Sequence, residues 1–405
     1  AALLILRPSH VWLGAIYALL WSASPYISYL ISTPTESATP SLADRDVEEL
    51  RRVARKTWAY FEDLVSSGDN FLPPDNFQED PYKGAAHRTS STNIGLYMAS
   101  VLSARDMGFI CTTDMVDRLE NTFSTIDRLD KWKGHLYNWY DTLTLKPLTP
   151  LYVSTVDSGN FIGYLISLKE GIEEYIDRPL IGRNLLSGLA DTIELVNEDL
   201  DDQNRIDTKF LRVRSGDLQM DCLHWNNIMS QMRAVISALE KRKLKNTSWL
   251  RRLENMTSSI VDESDRFFGW TGIAADIPRQ LQFGGGDGSP LNLGRIFHRL
   301  NAALSLSELS AAYGECIDDV LALSQQPACR EFLPWLRDFA STLKRSYGNV
   351  NDYISRSTDI IERCENMVSS TDFHRLYDEK RGLFSIGYSV EEGQPGGTYY
   401  DAVTD

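Results

Sequence analysis

Histidine and cysteine are scarce in this chain of 405 residues, which has six of the first and five of the second. The cysteines (Cys111, Cys222, Cys316, Cys329, Cys364) are far apart and odd in number, with no CxxC pair. That spacing suits free thiols and gives no zinc ligand set. There is no HExxH, so no metal site is expected, and nothing calls for a cofactor. Gly284-Gly-Gly-Asp-Gly288 lacks the Lys-Ser/Thr of a phosphate loop and the spacing of a dinucleotide fingerprint, and reads as a flexible loop. No GxSxG elbow is present. Excess positive charge is also missing. Lys and Arg total 41 against 56 for Asp and Glu, a net charge of −15. Nucleic-acid phosphates need a basic face, so no nucleic-acid partner is expected.

Charge is absent altogether from Val11 to Thr35, a run of 25 residues. A spanning helix needs about 20 apolar residues. Trp12, Tyr17, Trp21, Tyr26 and Tyr29 suit an interface, whereas Ser22, Ser24, Pro25 and Ser28 dilute the run. Residues 1–32 are therefore expected to form a hydrophobic segment, either membrane-associated through residues 11–32 or packed as a helix. The side of the membrane stays open. Residues 33–43 are rich in Ser, Thr and Pro and read as a linker. Ala1 opens in mid-hydrophobic sequence, which reads as a piece of a longer polypeptide.

From residue 44 to 405 the period is helical, in a chain 42% hydrophobic with ample material for a core. Val47, Leu50, Val53, Ala54, Trp58, Phe61 and Leu64 form one stripe, and Met115, Leu119, Phe123, Ile126 and Leu129 another. Comparable stretches cover 92–107, 159–175, 180–198, 226–243, 248–266, 295–312, 317–325, 331–346 and 350–369. The expected class is all-α. The best strand signal is Leu383-Phe-Ser-Ile-Gly-Tyr-Ser-Val390.

The loops between these helices are unusual. Leu72-Pro-Pro-Asp-Asn-Phe-Gln-Glu-Asp-Pro81 is acidic and amide-rich. Ala86-His-Arg-Thr-Ser-Ser-Thr-Asn-Ile-Gly95 gathers polar side chains at a helix start. Gly134-His-Leu-Tyr-Asn-Trp-Tyr-Asp-Thr142 mixes aromatics with Asn and Asp. Tyr152-Val-Ser-Thr-Val-Asp-Ser-Gly-Asn160 and Tyr399-Tyr-Asp401 complete the set. Sugars present apolar C–H faces to flat aromatics and hydroxyls to Asp, Asn, Gln and Arg. Such loops suit a sugar site. Ser, Thr and Asp also cap helices, so Thr89-Ser90 and Asp157-Ser158 have that plainer reading beside the functional one.

Pro74-Asp-Asn-Phe-Gln-Glu-Asp-Pro81, His87-Arg-Thr-Ser-Ser-Thr-Asn-Ile-Gly95, Tyr137-Asn-Trp-Tyr-Asp-Thr142, Val153-Ser-Thr-Val-Asp-Ser-Gly-Asn160 and Leu383-Phe-Ser-Ile-Gly-Tyr388 together resemble the glycoamylase-like region of cyclic β-1,2-glucan synthases. The resemblance runs in order from about Asp44 to the end. It implies an (α/α)6 barrel, incomplete at the C-terminus, with linear β-1,2-glucan as ligand. It also implies retaining transglycosylation that closes the glucan into a ring, and further domains of a larger synthase as partners. The substrate contacts it implies are His87, Arg88, Thr89, Asn93, Asn138, Trp139, Tyr140, Asp141, Asp157, Asn160, Tyr400 and Asp401. Trp139 and Tyr140 would stack on glucose, and Asp75, Asn76, Gln78 and Glu79 would rim the cleft. Ser91 replaces the proline of the family's TSPTNIG pattern, which should loosen the helix start.

A retaining mechanism needs two carboxyls about 5–5.5 Å apart. In the family one glutamate follows the Tyr-Tyr-Asp motif and the other lies further on, and neither has a counterpart here. The expectation is a binding site without its catalytic pair, inactive alone. Glu79, Asp141, Asp157, Asp378, Glu392 and Asp401 would then be hydroxyl ligands or loop braces. The other readings are a β-glucan hydrolase or phosphorylase on the same barrel, and a non-catalytic glucan-binding module tethered to a membrane.

Overall fold

A computed structural model describes residues 11–32, 42–211, 221–241, 248–274, 276–278, 281, 293–302 and 304–400. Gly284–Gly288 lies outside the described residues. The chain divides into two compact units, Ala1–Glu49 and Leu50–Asp405. The division falls within a helix rather than in the Ser/Thr/Pro segment.

In the first unit, α1 spans Val11–Ser32 with Pro25 inside it. Trp12, Tyr17, Trp21, Tyr26 and Tyr29 are exposed along it. Among the described residues no helix is long and apolar enough to cross a membrane. The serines, glycine and proline dilute α1 below that level.

Helix α2 (Asp44–Leu64) bridges the division. Its expected stripe is only partly the buried one. Val47, Leu50 and Val53 are exposed, whereas Arg55, Trp58, Ala59 and Phe61 are buried. The reason is ion pairing. After α3 (Ser91–Asp106), α4 (Thr112–Arg128) and α5 (Thr155–Ile176) comes α6 (Arg183–Glu198), which draws in the arginines of α2. Arg51 meets Asp191, Arg52 meets Glu198, and the Arg55 Nε donates to Thr192 Oγ1 at 2.9 Å. Arg55 is fully buried between Phe109 and Trp249, and burial pulls its pKa down despite Glu62.

The stripe Met115, Leu119, Phe123, Ile126 and Leu129 is buried throughout α4. Beyond α6 come α7 (Cys222–Lys241), α8 (Ser248–Phe268), the short α9 (Trp270–Ala274), α10 (Leu293–Leu300), α11 (Leu306–Ser324) and α12 (Leu333–Ser370). The expected helix 295–312 is broken between α10 and α11. A capping box explains the break: Ser305 accepts from Glu308 N, and Glu308 accepts from Ser305 N. The two helices expected at 331–346 and 350–369 are one. Leu343, Ser346, Val350 and Tyr353 keep a single buried face across Gly348, so the helix runs through.

Helices α3 and α5 pack together, α5 packs on α12, and α12 on α11. Short antiparallel ribbons sit where α3 and α5 begin and α12 ends. These are β1–β2 (Phe77–Gln78, Gly84–Ala85), β3–β6 (Arg88–Thr89, Tyr140–Asp141) and β4–β5 (Lys131–Trp132, His135–Leu136). Others are β7–β10–β11 (Tyr152–Ser154, Gly387–Ser389, Gln394–Pro395) and β8–β9 (Tyr377–Asp378, Leu383–Phe384). Gly134, at φ +86°, is required here, since a Cβ would meet Ser370 O at 2.3 Å. All five cysteines are free and buried. Trp225 is also a core residue.

Candidate functional site

Two helix starts build the site. Ser90 caps α3 by accepting from Asn93 N, and Ser154 caps α5 by accepting from Asp157 N. Ser90 and Ser154 therefore do the capping, and Asp157 is left to face outward from the first turn of α5. Ser91 stands at the first helical position of α3, where proline is favoured but not needed. Ser90 keeps its capping bond beside Ser91.

Thr92 Oγ1 donates to Asp157 Oδ1 at 2.5 Å, which ties the two helix starts together. With the Asn138 amide turned to satisfy its neighbours, its nitrogen donates to Asp157 Oδ2 at 3.2 Å. The amide oxygen then accepts from Trp139 Nε1, also at 3.2 Å. The Asp157 carboxylate lies at the positive end of α5, where the helix favours an anion. Tyr152 stands next to it. Burial raises the Tyr152 pKa, with Tyr400 and Asp157 adding to the effect.

On the other side Arg88 places Nε and Nη2 on Asp75 Oδ2 at 3.1 and 2.8 Å. Asn76 donates to the same oxygen at 3.0 Å, and Asn93 reaches Oδ1 at 3.4 Å. The guanidinium carbon lies 4.8 Å from the centre of the Trp139 ring. A continuous chain of contacts thus runs from Asp75 through Arg88, Trp139 and Asn138 to Asp157 and Thr92. Asn160 is exposed one turn further along α5.

Several expected residues lie elsewhere. Tyr140 is fully buried and cannot stack on a sugar. Its hydroxyl donates to Asp130 O at 2.6 Å and accepts from Tyr137 N at 2.8 Å, so it braces the loop from within. Thr89 is also fully buried, because its position in β3 points it inward. His87 is turned away from Asp75 and bonds Asp69 Oδ1 at 2.7 Å. His87 precedes β3 and pairs with Asp69, while Arg88 in β3 pairs with Asp75. Asp141 closes its own turn by accepting from Leu143 N, Thr144 N and Thr144 Oγ1. The Thr144 backbone bond is the main reason its pKa is lowered. Asp378 does the same for the turn at Lys380 and Arg381 and accepts from Tyr399 at 3.0 Å. Gln78 and Glu79 belong to the β1–β2 hairpin, with Glu79 exposed. Asp401 lies outside the described residues.

Sequence reasoning passed over Asp69, Thr92 and Tyr152. Thr92 and Tyr152 stand inside the quoted motifs. Asp69, which also accepts from Thr142 Oγ1 at 2.5 Å, carries no motif signal.

The polar, aromatic chain of contacts suits a carbohydrate surface, and the sequence comparisons fall in the same class. The chain is similar to a glucan synthase. It is 44% identical over 193 residues to the cyclic beta-(1,2)-glucan synthase NdvB of Rhizobium meliloti (strain 1021). That match covers 47% of this chain and 7% of NdvB. No family model matches. A solved structure from Bacteroides fragilis NCTC 9343, described as a candidate glucoamylase, is 19% identical. It aligns over 35% of this chain and 34% of its own at a TM-score of 0.29.

Proposed function

We propose that this chain supplies a binding surface for linear β-1,2-glucan within a larger glucan synthase, in a helical domain of the (α/α)6 kind. The observation that carries the reading is the run Asp75–Arg88–Trp139–Asn138–Asp157, which joins an aromatic face to fixed acceptors and donors. The similarity to NdvB supports the glucan as its ligand. Trp139 takes a sugar face, while Asn93, Asn138, Asp157, Asn160, Tyr152 and Tyr400 take hydroxyls. In the whole synthase the reaction is retaining transglycosylation, closing the glucan into a ring.

This chain binds without breaking bonds. Its site carboxylates are already engaged as acceptors: Asp75 by Arg88, Asn76 and Asn93, and Asp157 by Thr92 and Asn138. Both are held by donors and read as fixed acceptors for sugar hydroxyls. Incubating the chain with linear β-1,2-glucan and weighing the products by mass spectrometry tests this. The expected result is an unchanged length distribution, beside saturable binding of the same glucan by calorimetry. New lengths or rings would overturn this part of the reading and make Glu79, Asp141, Asp157 and Asp401 the catalytic suspects.

Helix α1 rests on a membrane surface through Trp12, Tyr17, Trp21, Tyr26 and Tyr29, whose rings suit the headgroup level. Flotation of the full chain with phosphatidylglycerol-containing vesicles is the measurement. Replacing Trp12 and Trp21 by Ser together should leave most of the protein at the bottom of the gradient.

A further inference from the structure

We infer that Arg88 is a positioning residue that holds Trp139 as a one-sided platform for the sugar. The inference rests on the glucan-binding reading above. A guanidinium is planar, and this one is fixed twice. Two of its N–H groups fork onto a single oxygen of Asp75, and its central carbon lies over the indole, 4.8 Å from the ring centre. Asp75 is itself anchored: its backbone N donates to Arg88 O at 2.8 Å, and Asn76 and Asn93 hold its carboxylate. Asn138 fixes the far end of the indole through Nε1. The ring is therefore pinned at one face and one edge, both by groups attached to the β3–β6 loops or to α3. An indole has two faces. Arg88 occupies one of them, so a pyranose ring stacks on the other.

Half of the Arg88 side chain is exposed, which would ordinarily suggest a direct ligand. Following a ligand, however, would break the Asp75 fork and uncover the indole at once. Lysine keeps the positive charge but cannot make the fork or lie flat on the ring. This separates positioning from simple charge.

The chain has nine tryptophans. Labelling with 5-fluorotryptophan and removing one signal by Trp139→Phe assigns the Trp139 resonance in the full-length chain. With no glucan present, Arg88→Met should broaden that resonance by freeing the ring. Asp75→Asn should broaden it too, although Asp75 is not stacked on Trp139. Affinity for linear β-1,2-glucan should fall about tenfold in Arg88→Met, and Arg88→Lys should recover less than half of the loss on a logarithmic scale.

A sharp Trp139 signal in Arg88→Met together with lost affinity would make Arg88 a direct ligand and overturn the inference. A broadened signal with unchanged affinity would also overturn it, since the held ring would then not matter. If glucan never moves the wild-type Trp139 signal, the glucan reading fails. Broadening in the free variants would still establish that Arg88 positions the ring.

Discussion

Asp157 shows how a residue with two plausible roles is assigned by its neighbours. Ser154 takes the capping bond of α5, so the Asp157 carboxylate is free to reach across to Thr92 and Asn138. Each of its oxygens keeps further acceptor capacity for a sugar hydroxyl. Replacing Asp157 by Ala removes that acceptor and unties the two helix starts. Glucan affinity measured by calorimetry should fall at least tenfold, in line with about 1.5–3 kcal/mol for a charged hydrogen bond. Glycine decides matters at another point. Gly108 sits at φ +77°, and a Cβ there would lie 1.8 Å from Asn184 O. A Cβ on Gly188 would lie 2.0 Å from Gly108 O. The turn after α3 and helix α6 thus approach without side chains between them. Gly188→Ala should cost about 1–3 kcal/mol as overpacking, read as a lower urea midpoint with an unchanged slope.

At the scale of elements, the start of α4 is capped from another helix. Cys111, at the N-cap position, makes no capping bond. Glu263 of α8 supplies it by accepting from Thr113 N at 2.5 Å and Thr113 Oγ1 at 2.7 Å. Burial raises the Glu263 pKa, and Arg105 and the Thr113 donors oppose that rise. Tyr353 of α12 adds its hydroxyl to Thr112 O at 2.6 Å. Three helices therefore meet on one turn. Glu263→Ala leaves the Thr113 donors buried without a partner. Chemical unfolding should register a loss of about 2–3 kcal/mol. Glu263→Gln retains an acceptor oxygen and should lose less.

For the whole molecule, the loops are joined to the helical body by His135. It is 1% exposed, with Nε2 donating to Asp372 O at 2.9 Å and Nδ1 hydrogen-bonded to Ser158 Oγ at 3.0 Å. Burial lowers the His135 pKa below 6.5 although Asp372 pulls the other way, which favours the neutral ring. The unfolded chain then binds the proton more readily than the folded one. The contribution of His135 is in place above pH 6.5 and is lost as the pH falls through and below that value. A urea titration across pH 5–8 should show stability declining toward the acid side. Subtracting the profile of His135→Gln, which does not titrate there, should isolate that slope.

The sequence alone determined the helical class and the loops in which the site is found. Apolar spacing at Met115, Leu119, Phe123, Ile126 and Leu129 follows from local helix geometry, which nearby residues dictate. The loop motifs are likewise contiguous, so Asp75, Arg88, Asn93, Asn138, Trp139 and Asp157 could be singled out before any packing was known. Tertiary structure decided the rest. It buried Tyr140 and Thr89, turned His87 toward Asp69, and set Arg88 over Trp139. It also exposed Val47, Leu50 and Val53 while burying Arg55. These outcomes depend on partners distant in sequence, such as Thr192 and Glu62 for Arg55 or Asp372 for His135. Local periodicity carries no information about which distant groups will meet, so only the folded chain selects between a side chain's possible roles.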